Sequence, residues 1–287
     1  MNIRIDHLVS LDELQRCTEL QAAIGEDSER RVLPAYMLVT INRSGGIVLG
    51  AYDEDCTQRK LCGCLVDLAD WQGDRTAWRT VFHGVSSEAR NSGIGYMLRR
   101  RELEECRRNG MDLVTWAIDP LLSAQSHFAF NKLGTVSAHY ERNLFGELDD
   151  PANQGLASDR LIVEWWLDSP RVVSVVEEGE LPHHFRLGFE RMEVATRTRL
   201  AKSGIRKLVG AEMKGDKEVV LVEIPVDLEG LICVDPACAR DWRIGLRDVF
   251  ESAFAKGYIL TGFVHEGGRS FQLLERVAKE GVLERVF

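Results

Sequence analysis

From Val81 to Glu105 the chain reads VFHGVSSEARNSGIGYMLRRRELEE. A β-branched and aromatic run, a polar break, two glycines and a charged segment with helical spacing follow one another, so the stretch reads as strand, turn and helix. Glycine at a helix start normally costs stability and wants a reason. Asn91 and Ser92 could cap the helix, which would make the glycines mere turn-formers. Gly93 and Gly95 also strip side chains from the first turn, leaving backbone N–H groups and the positive end of the helix dipole open to an anion such as a diphosphate. A dinucleotide loop of the GxGxxG kind would require glycine at position 98, which is Leu98.

Working outward, Ile3 to Ile5 forms a short strand, and Ser10 and Glu13 have the spacing of a capping box that opens a helix to about Ala23. A helix near Pro34 to Asn42 ends at Gly45-Gly46. IVLGAYD (47–53) and LCGCLVDLA (61–69) then read as an antiparallel pair, followed by the strand TVFHGV (80–85). The glycine-led helix runs to Asn109-Gly110 and is followed by the strand MDLVTWAI (111–118), a helix over Ser123 to Lys132, and the strands TVSAHYERNLFG (135–146) and DRLIVEWWL (159–167). After Pro170 the pattern restarts with a strand RVVSVV (171–176), a poorly patterned basic region, a strand EVVLVEIPV (218–226) and a long helix from about Asp235 to Lys256. The strands YILTGFVH (258–265) and SFQLLER (270–276) close the chain as a hairpin turned by Gly267-Gly268. This order predicts a mixed, mostly antiparallel α/β (α+β) architecture with two domains, 1–168 and 169–287.

The 287 residues are 45% hydrophobic and 28% charged, a globular composition long enough to bury a sizeable core. A net charge of −9 argues against a phosphate-backbone ligand, so no nucleic acid is expected. No run approaches the ~20 apolar residues of a membrane helix, and the opening MNIRIDHLVSLDELQ lacks a signal peptide's apolar core; the reading is cytoplasmic, with no membrane partner. Seven cysteines without a CxxC pair fit core thiols in a reducing compartment, and no metal site is expected. From His183 to Lys207 the chain is basic, which reads as a solvated stretch or as a rim that attracts an anionic small molecule.

Arg90-Asn91-Ser92-Gly93-Ile94-Gly95 resembles the Arg/Gln-x-x-Gly-x-Gly/Ala signature of the GNAT (N-acetyltransferase) superfamily. Trp116 to Gly134, Glu141 to Leu167 and Glu223 to Phe263 resemble a bacterial GNAT-related family of poorly assigned substrate. The resemblance covers nearly the whole chain. It implies a GNAT-like mixed sheet flanked by helices, with a smaller C-terminal α/β extension that continues the sheet or covers the acceptor site. It further implies acetyl-CoA or another acyl-CoA as donor, its pyrophosphate cradled by Arg90, Asn91, Ser92, Gly93, Ile94, Gly95 and Tyr96. Its pantetheine would pair with backbone from Phe82 to Val85, between the fourth and fifth strands, which splay apart in that superfamily. Four positions depart from the pattern. Phe130 stands where many GNAT enzymes place the tyrosine that protonates the leaving thiolate, Gln125-Ser126 replaces the related family's Asn-Ala, and Ala129 replaces a frequent Asn.

Direct acyl transfer brings a neutral amine to a thioester, stabilises an oxyanion and removes a proton from nitrogen. His83, on the same strand face as Val85 by alternation, is the first candidate for the proton; a hydrogen-bonded structural histidine is the other reading. Asp119 ends a strand at the expected cleft, although Asp-Pro is equally a turn signal. Tyr140 and Asn143 are family-like residues for which packing and substrate contact compete. Ser158-Asp159-Arg160 reads as a structural ion pair, and Trp165, Trp242 and Arg243 as packing residues. The expectation is an acyl-CoA-dependent N-acyltransferase carrying acetyl or succinyl to a small amine, an amino acid among the candidates, with a homodimer allowed. A non-catalytic coenzyme A or metabolite binder is the alternative, and a scaffold whose glycines only close a turn is a third.

Overall fold

The computed structural model describes residues 2–24, 32–55, 59–148, 155–179, 192–215 and 217–286. Their chain divides into two compact units, Met1–Trp116 and Ala117–Phe287. The packing boundary falls inside a strand, whereas the sequence pattern placed its domain boundary at 168/169.

In the first unit the sheet order is β1 (Ile3–His7), β2 (Ile47–Asp53), β3 (Lys60–Gln72), β4 (Arg75–Val85) and β5 (Leu113–Ile118). All neighbours are antiparallel except β4 and β5, which run parallel. Helix α1 (Leu11–Ile24) starts on the expected capping box: the Glu13 N–H donates to Ser10 Oγ at 3.3 Å, and the Ser10 N–H donates to Glu13 Oε2 at 2.9 Å. With α2 (Ala35–Arg43), it buries Leu14, Cys17, Leu20, Leu38 and Ile41 against Val48, Tyr52, Cys64 and Val66. Helix α3 (Ile94–Arg108) packs directly on the strand at Gly63, where a Cβ would stand 3.0 Å from Ile94 Cγ2 and 3.3 Å from Leu98 Cδ1.

One irregularity in β4 aims the side chains toward α3. The β3–β4 register passes from Val66↔Phe82 to Asp67↔Thr80, so Val81 is an extra, unpaired residue, a β-bulge. Strict alternation would send Thr80 and His83 to opposite faces. The bulge turns both toward α3, where Thr80 Oγ1 donates to Glu102 Oε1 at 3.1 Å and His83 Nε2 lies 3.1 Å from Gly95 O.

The second unit has the sheet order β7 (Arg160–Trp166), β6 (Val136–Glu141), β12 (Tyr258–Glu266), β13 (Arg269–Arg276), β11 (Val219–Ile224) and β8 (Met192–Val194). Its pairs are antiparallel apart from β11 with β8. The predicted β12–β13 hairpin turns at Gly267 and Gly268, both at positive φ. Helix α7 (Pro236–Ala255) is the long helix expected, and α4 (Ser123–Ser126) runs on as a π-helical turn over His127–Lys132.

RVVSVV is a correction: it is not a strand but helix α5 (Pro170–Val176). Pro170 occupies the first turn, and Ser169 Oγ accepts from the Val172 N–H at 3.3 Å, so a helix start outweighs the β-branched composition. Elements without a sequence expectation include strand β8, the hairpin of β9 (Thr196–Leu200) and β10 (Arg206–Ala211), helix α6 (Leu228–Val234) and helix α8 (Lys279–Leu283). Of the basic stretch 183–207, residues 183–191 lie outside the described residues, as does Cys56.

A charge cluster lies inside the first unit. Arg99 is 1% exposed and Asp67 and Glu102 are 0% exposed. Arg99 Nη1 donates to Glu102 Oε2 and to Thr80 Oγ1, both at 2.8 Å, and its guanidinium lies 3.9 Å from the Trp116 ring centroid. Neither Asp67 oxygen has a hydrogen-bond partner in good geometry. Burial first, and the adjacent Glu102 charge second, hold the Asp67 carboxyl well above the usual carboxylate range, so it is neutral while Glu102 balances Arg99. The folded chain thus retains a proton that an unfolded aspartate releases. This contribution to stability is complete below the ordinary value of 3.8 and is lost as pH rises through the raised folded value. Asp67→Asn should therefore flatten the decline in stability as pH rises from 3.8 through the raised folded value, whereas Glu102→Gln, which removes the counter-charge of Arg99, should destabilise by about 3 kcal/mol at neutral pH. Urea unfolding of both variants across that range checks this; an Asp67→Asn chain that follows the parent's pH dependence contradicts it.

Candidate functional site

The glycine turn has the conformation its composition suggested, but the capping expectation fails. Gly93, at φ 86°, precedes α3 with no side-chain cap, because Ser92 Oγ donates back to Ala89 O at 2.5 Å and Asn91 points to solvent at φ 63°. A Cβ at Gly93 would meet nothing within 4 Å, so the constraint there is the left-handed backbone alone. The helical ladder begins with the Met97 N–H donating to Gly93 O at 3.0 Å, and the N–H groups of Ile94, Gly95 and Tyr96 precede it. The Ile94 side chain is buried, so its backbone is what a ligand could use; Arg90, Asn91, Ser92 and Gly93 are exposed, and Tyr96 is half-buried. Among the described residues Arg90 forms no ion pair. Backbone N–H groups at a helix start, the helix dipole and one exposed arginine suit a diphosphate in a chain of negative net charge.

Strand β4 leads into this turn. Its ladder with β5 comprises Trp78↔Val114 and Arg79↔Thr115, and β4 then continues for six residues, Thr80 to Val85, past its last β5 pair. The bulge at Val81 falls at that point. Phe82 turns its ring into the core beneath α1 and α2, so only its backbone could serve a ligand, while Val85 is half-buried. His83 ties the strand to the first turn of α3 through Gly95 O. With Nε2–H as the donor of that bond, Nδ1 is the acceptor side of the ring. Burial chiefly, and the Arg99 charge second, lower the His83 pKa from 6.5 to about 3, so the imidazole is neutral at physiological pH and a weak base.

The other two candidates for catalysis belong to the second unit, where each is held in a salt-bridge network. Asp119, 3% exposed, receives Arg243 Nη1 at 2.8 Å and Nη2 at 2.5 Å, with Arg160 Nη1 at 3.4 Å. Its N–H donates to Gln125 Oε1 and its Oδ1 accepts from the Leu121 N–H, so the Asp-Pro segment is also the turn its sequence suggested. Tyr140 OH donates to Asp159 Oδ2 at 2.7 Å, and that carboxylate also takes a two-point contact from Arg247 at 2.7 and 2.9 Å. Burial and the Asp159 charge push the Tyr140 phenol far above its ordinary range. Asn143, at φ 50°, sends its N–H to Asp159 Oδ1 and accepts the Ser158 N–H on its own Oδ1.

Asp159 and Arg160 thus take their main partners from elsewhere in the chain. Trp242 packs as expected, whereas Arg243 carries an ion pair that its sequence did not announce. Phe130 is fully buried, and Ser126 Oγ accepts from Gln272 Nε2 at 2.8 Å, so these two residues each have a structural role. Sequence reasoning missed Arg99 and Arg247 and assigned Arg243 to packing rather than to an ion pair, since an arginine on an amphipathic helix carries no local mark of its partners. Among the described residues no group of histidine, cysteine and carboxylate side chains could hold a metal ion, and no helix is long and apolar enough to cross a membrane.

No family model matches the chain, and no curated protein matches it. Solved structures similar to it include an acetyltransferase of the GNAT family from Streptococcus pneumoniae, at 15% identity and a TM-score of 0.46, covering 57% of this chain and 98% of that one. An N-acetyltransferase from Staphylococcus aureus Mu50 is similar at 15% identity and a TM-score of 0.43, covering 58% and 99%. The NatC complex bound to Gag peptide and CoA contributes a chain at 16% identity and a TM-score of 0.46, covering 57% and 98%. The likeness is distant.

The His83 environment yields a test that needs no ligand. A histidine whose folded pKa lies below its unfolded value contributes stability that is present above 6.5 and lost as pH falls toward about 3. His83→Gln should therefore lose stability less steeply than the parent between those limits, and the His83 ring should show no imidazolium signal by NMR at about pH 5. A ring titrating near 6.5 would contradict this placement.

Proposed function

We propose that the chain is an acyl-coenzyme A-dependent N-acyltransferase that carries an acetyl or succinyl group to a small amine, an amino acid among the candidates, by direct attack in a ternary complex. The observation that supports this most is the uncapped α3 turn at Gly93 placed directly after a strand, β4, that runs six residues beyond its last β5 pair. Acyl-coenzyme A would bring a diphosphate for the turn, an amide-bearing arm for the strand edge and an activated thioester. Arg90 and the backbone N–H groups from Gly93 to Tyr96 bind the diphosphate in this reading, Asn91 and Ser92 shape the turn, and backbone from Phe82 to Val85 aligns the arm.

Of the three candidate catalytic groups, His83 belongs to the unit that carries the proposed donor site. Its Nε2–H fixes Gly95 and with it the N–H array, and its neutral Nδ1 side accepts a hydrogen bond without carrying charge. Asp119 and Tyr140 act in this proposal through Arg243 and Asp159, by holding the second unit in shape. Deprotonation of the amine then falls to solvent, and positioning supplies most of the rate.

A second reading, a binder of coenzyme A or another metabolite without turnover, draws on Phe130 and Tyr140. The first is a buried phenylalanine, and the second is a phenol already donating to Asp159, so neither is a ready acid for a leaving thiolate. The two readings separate on thiol release.

Coenzyme A should raise the melting temperature of the parent chain, since a ligand selective for the folded state must stabilise it. Gly93→Val should remove that response, because valine at a left-handed position distorts the turn. No shift at saturating coenzyme A defeats the acyltransferase reading and the coenzyme A form of the second. Thiol release from acetyl- or succinyl-coenzyme A across a panel of amines and both enantiomers of amino acids should require an acceptor; binding without release favours the second reading. In the enzyme, kcat/KM should rise with pH and then level as the amine becomes neutral. Tyr140→Phe should change turnover by less than about tenfold, or ~1.4 kcal/mol, and a loss of several hundredfold with coenzyme A affinity intact would show that Tyr140 is the acid.

A further inference from the structure

The second unit encloses a cavity of about 370 Å³ bounded by the β9–β10 hairpin, the segment after β11, helices α6 and α7, and the β12–β13 turn. We propose that this cavity, walled by Ile205, Arg206, Ile224, Pro225, Leu231 and Trp242, is a binding site for a small apolar carboxylate. The proposal is independent of the acyl-transfer reading and involves none of the residues assigned to it.

Size and lining speak first. At about 30 Å³ per atom the cavity holds about a dozen non-hydrogen atoms, and it lies at the lower end of the volumes that small-molecule sites occupy. Most of its wall is apolar. Val234, Leu200 and Val226 at its rim are 72%, 59% and 49% exposed, so large hydrocarbon groups are left in water around a concave opening. Trp242 is anchored rather than mobile, with Nε1–H donating to Arg206 O at 3.2 Å.

Charge decides the kind of ligand. Two charged residues line the cavity, Arg206 and Asp227. Asp227 is committed as the cap of α6, its Oδ1 accepting from the Gly230 N–H at 2.9 Å. Arg206 is one of two guanidinium groups directed at a single buried carboxylate, Glu223, which is already held by Arg269 at 2.9 and 2.5 Å and by Thr198 Oγ1 at 2.8 Å. The Arg206 contact with it is long, Nε to Oε1 at 3.4 Å, and the Arg206 side chain is 33% exposed. Glu223, Arg206 and Arg269 therefore carry one positive charge in excess, and Arg206, whose Nη1 also donates to Thr198 Oγ1 at 3.1 Å, lines the cavity. A carboxylate can take a two-point hydrogen bond from such a group while its hydrocarbon covers the apolar wall.

Isothermal titration of the full chain with octanoate, and with octan-1-ol as the neutral control, tests this. Octanoate should bind with one-to-one stoichiometry and at least about tenfold more tightly than the alcohol, as a charge-assisted hydrogen bond predicts. Val234→Trp places a ring at the mouth from an exposed position that the fold does not depend on, and should weaken octanoate at least about tenfold. Arg206→Gln should bring octanoate down to the alcohol's affinity and leave the alcohol unchanged; if that variant loses its fold, Val234→Trp alone decides. Absence of octanoate binding, equal affinity for the alcohol, or octanoate binding that Val234→Trp leaves intact would each overturn the proposal.

Discussion

A guanidinium that is 1% exposed can persist only where most of its lost hydration is replaced, and inside the first unit Arg99 finds partners for Nη1 and for its face, while its Nε makes no hydrogen bond. Glu102 supplies the counter-charge, Thr80 an oxygen, Trp116 an aromatic face, and the protonated Asp67 leaves the balance neutral. These partners come from α3, β4, β5 and β3, so one side chain binds the helix to three strands. The helix start is located by that arrangement. Because α3 cannot slide without stranding Arg99, Gly95 stays under His83 and the turn at Gly93 keeps its place at the end of β4. The same positive charge adds to the burial that keeps His83 neutral, so one group both positions the turn and contributes to its protonation state.

The bulge at Val81 makes the arrangement possible. A regular β4 would present either Thr80 or His83 to α3, and one of the two anchoring contacts would be lost. The extra residue keeps both, and it stands where the pairing with β5 stops. The strand is irregular where its pairing with β5 ends.

The second unit uses the same chemistry at separate points. Asp119 with Arg243, Asp159 with Arg247, and Glu223 with Arg269 join strands or loops to distant segments, the first across 124 positions of sequence. Such pairs stabilise little when compared with well-packed hydrophobic residues, but breaking one leaves an uncompensated charge indoors. That explains why Asp119 and Tyr140 look like catalytic groups in one dimension. A carboxylate after a strand and a phenol on the next strand are also what an interior salt-bridge network requires.

Much of the fold was legible because periodicity and breakers are local. The capping box at Ser10 and Glu13, the start of α3, the run of α7 and the glycine hairpin between β12 and β13 all follow from residues a few positions apart. RVVSVV failed for an equally local reason: valine favours strands, but Ser169 and Pro170 start a helix and packing then accepts the β-branched residues, as it buries Val172, Val175 and Val176. The turn sequence by itself determined where an anion could meet bare backbone, since the left-handed Gly93 needs no distant partner. Only the tertiary structure decided which charges are indoors, which aspartate keeps its proton, and which nitrogen of His83 is spent on Gly95. Those outcomes depend on desolvation and on partners brought together from distant positions, and neither quantity is carried by any short stretch of residues.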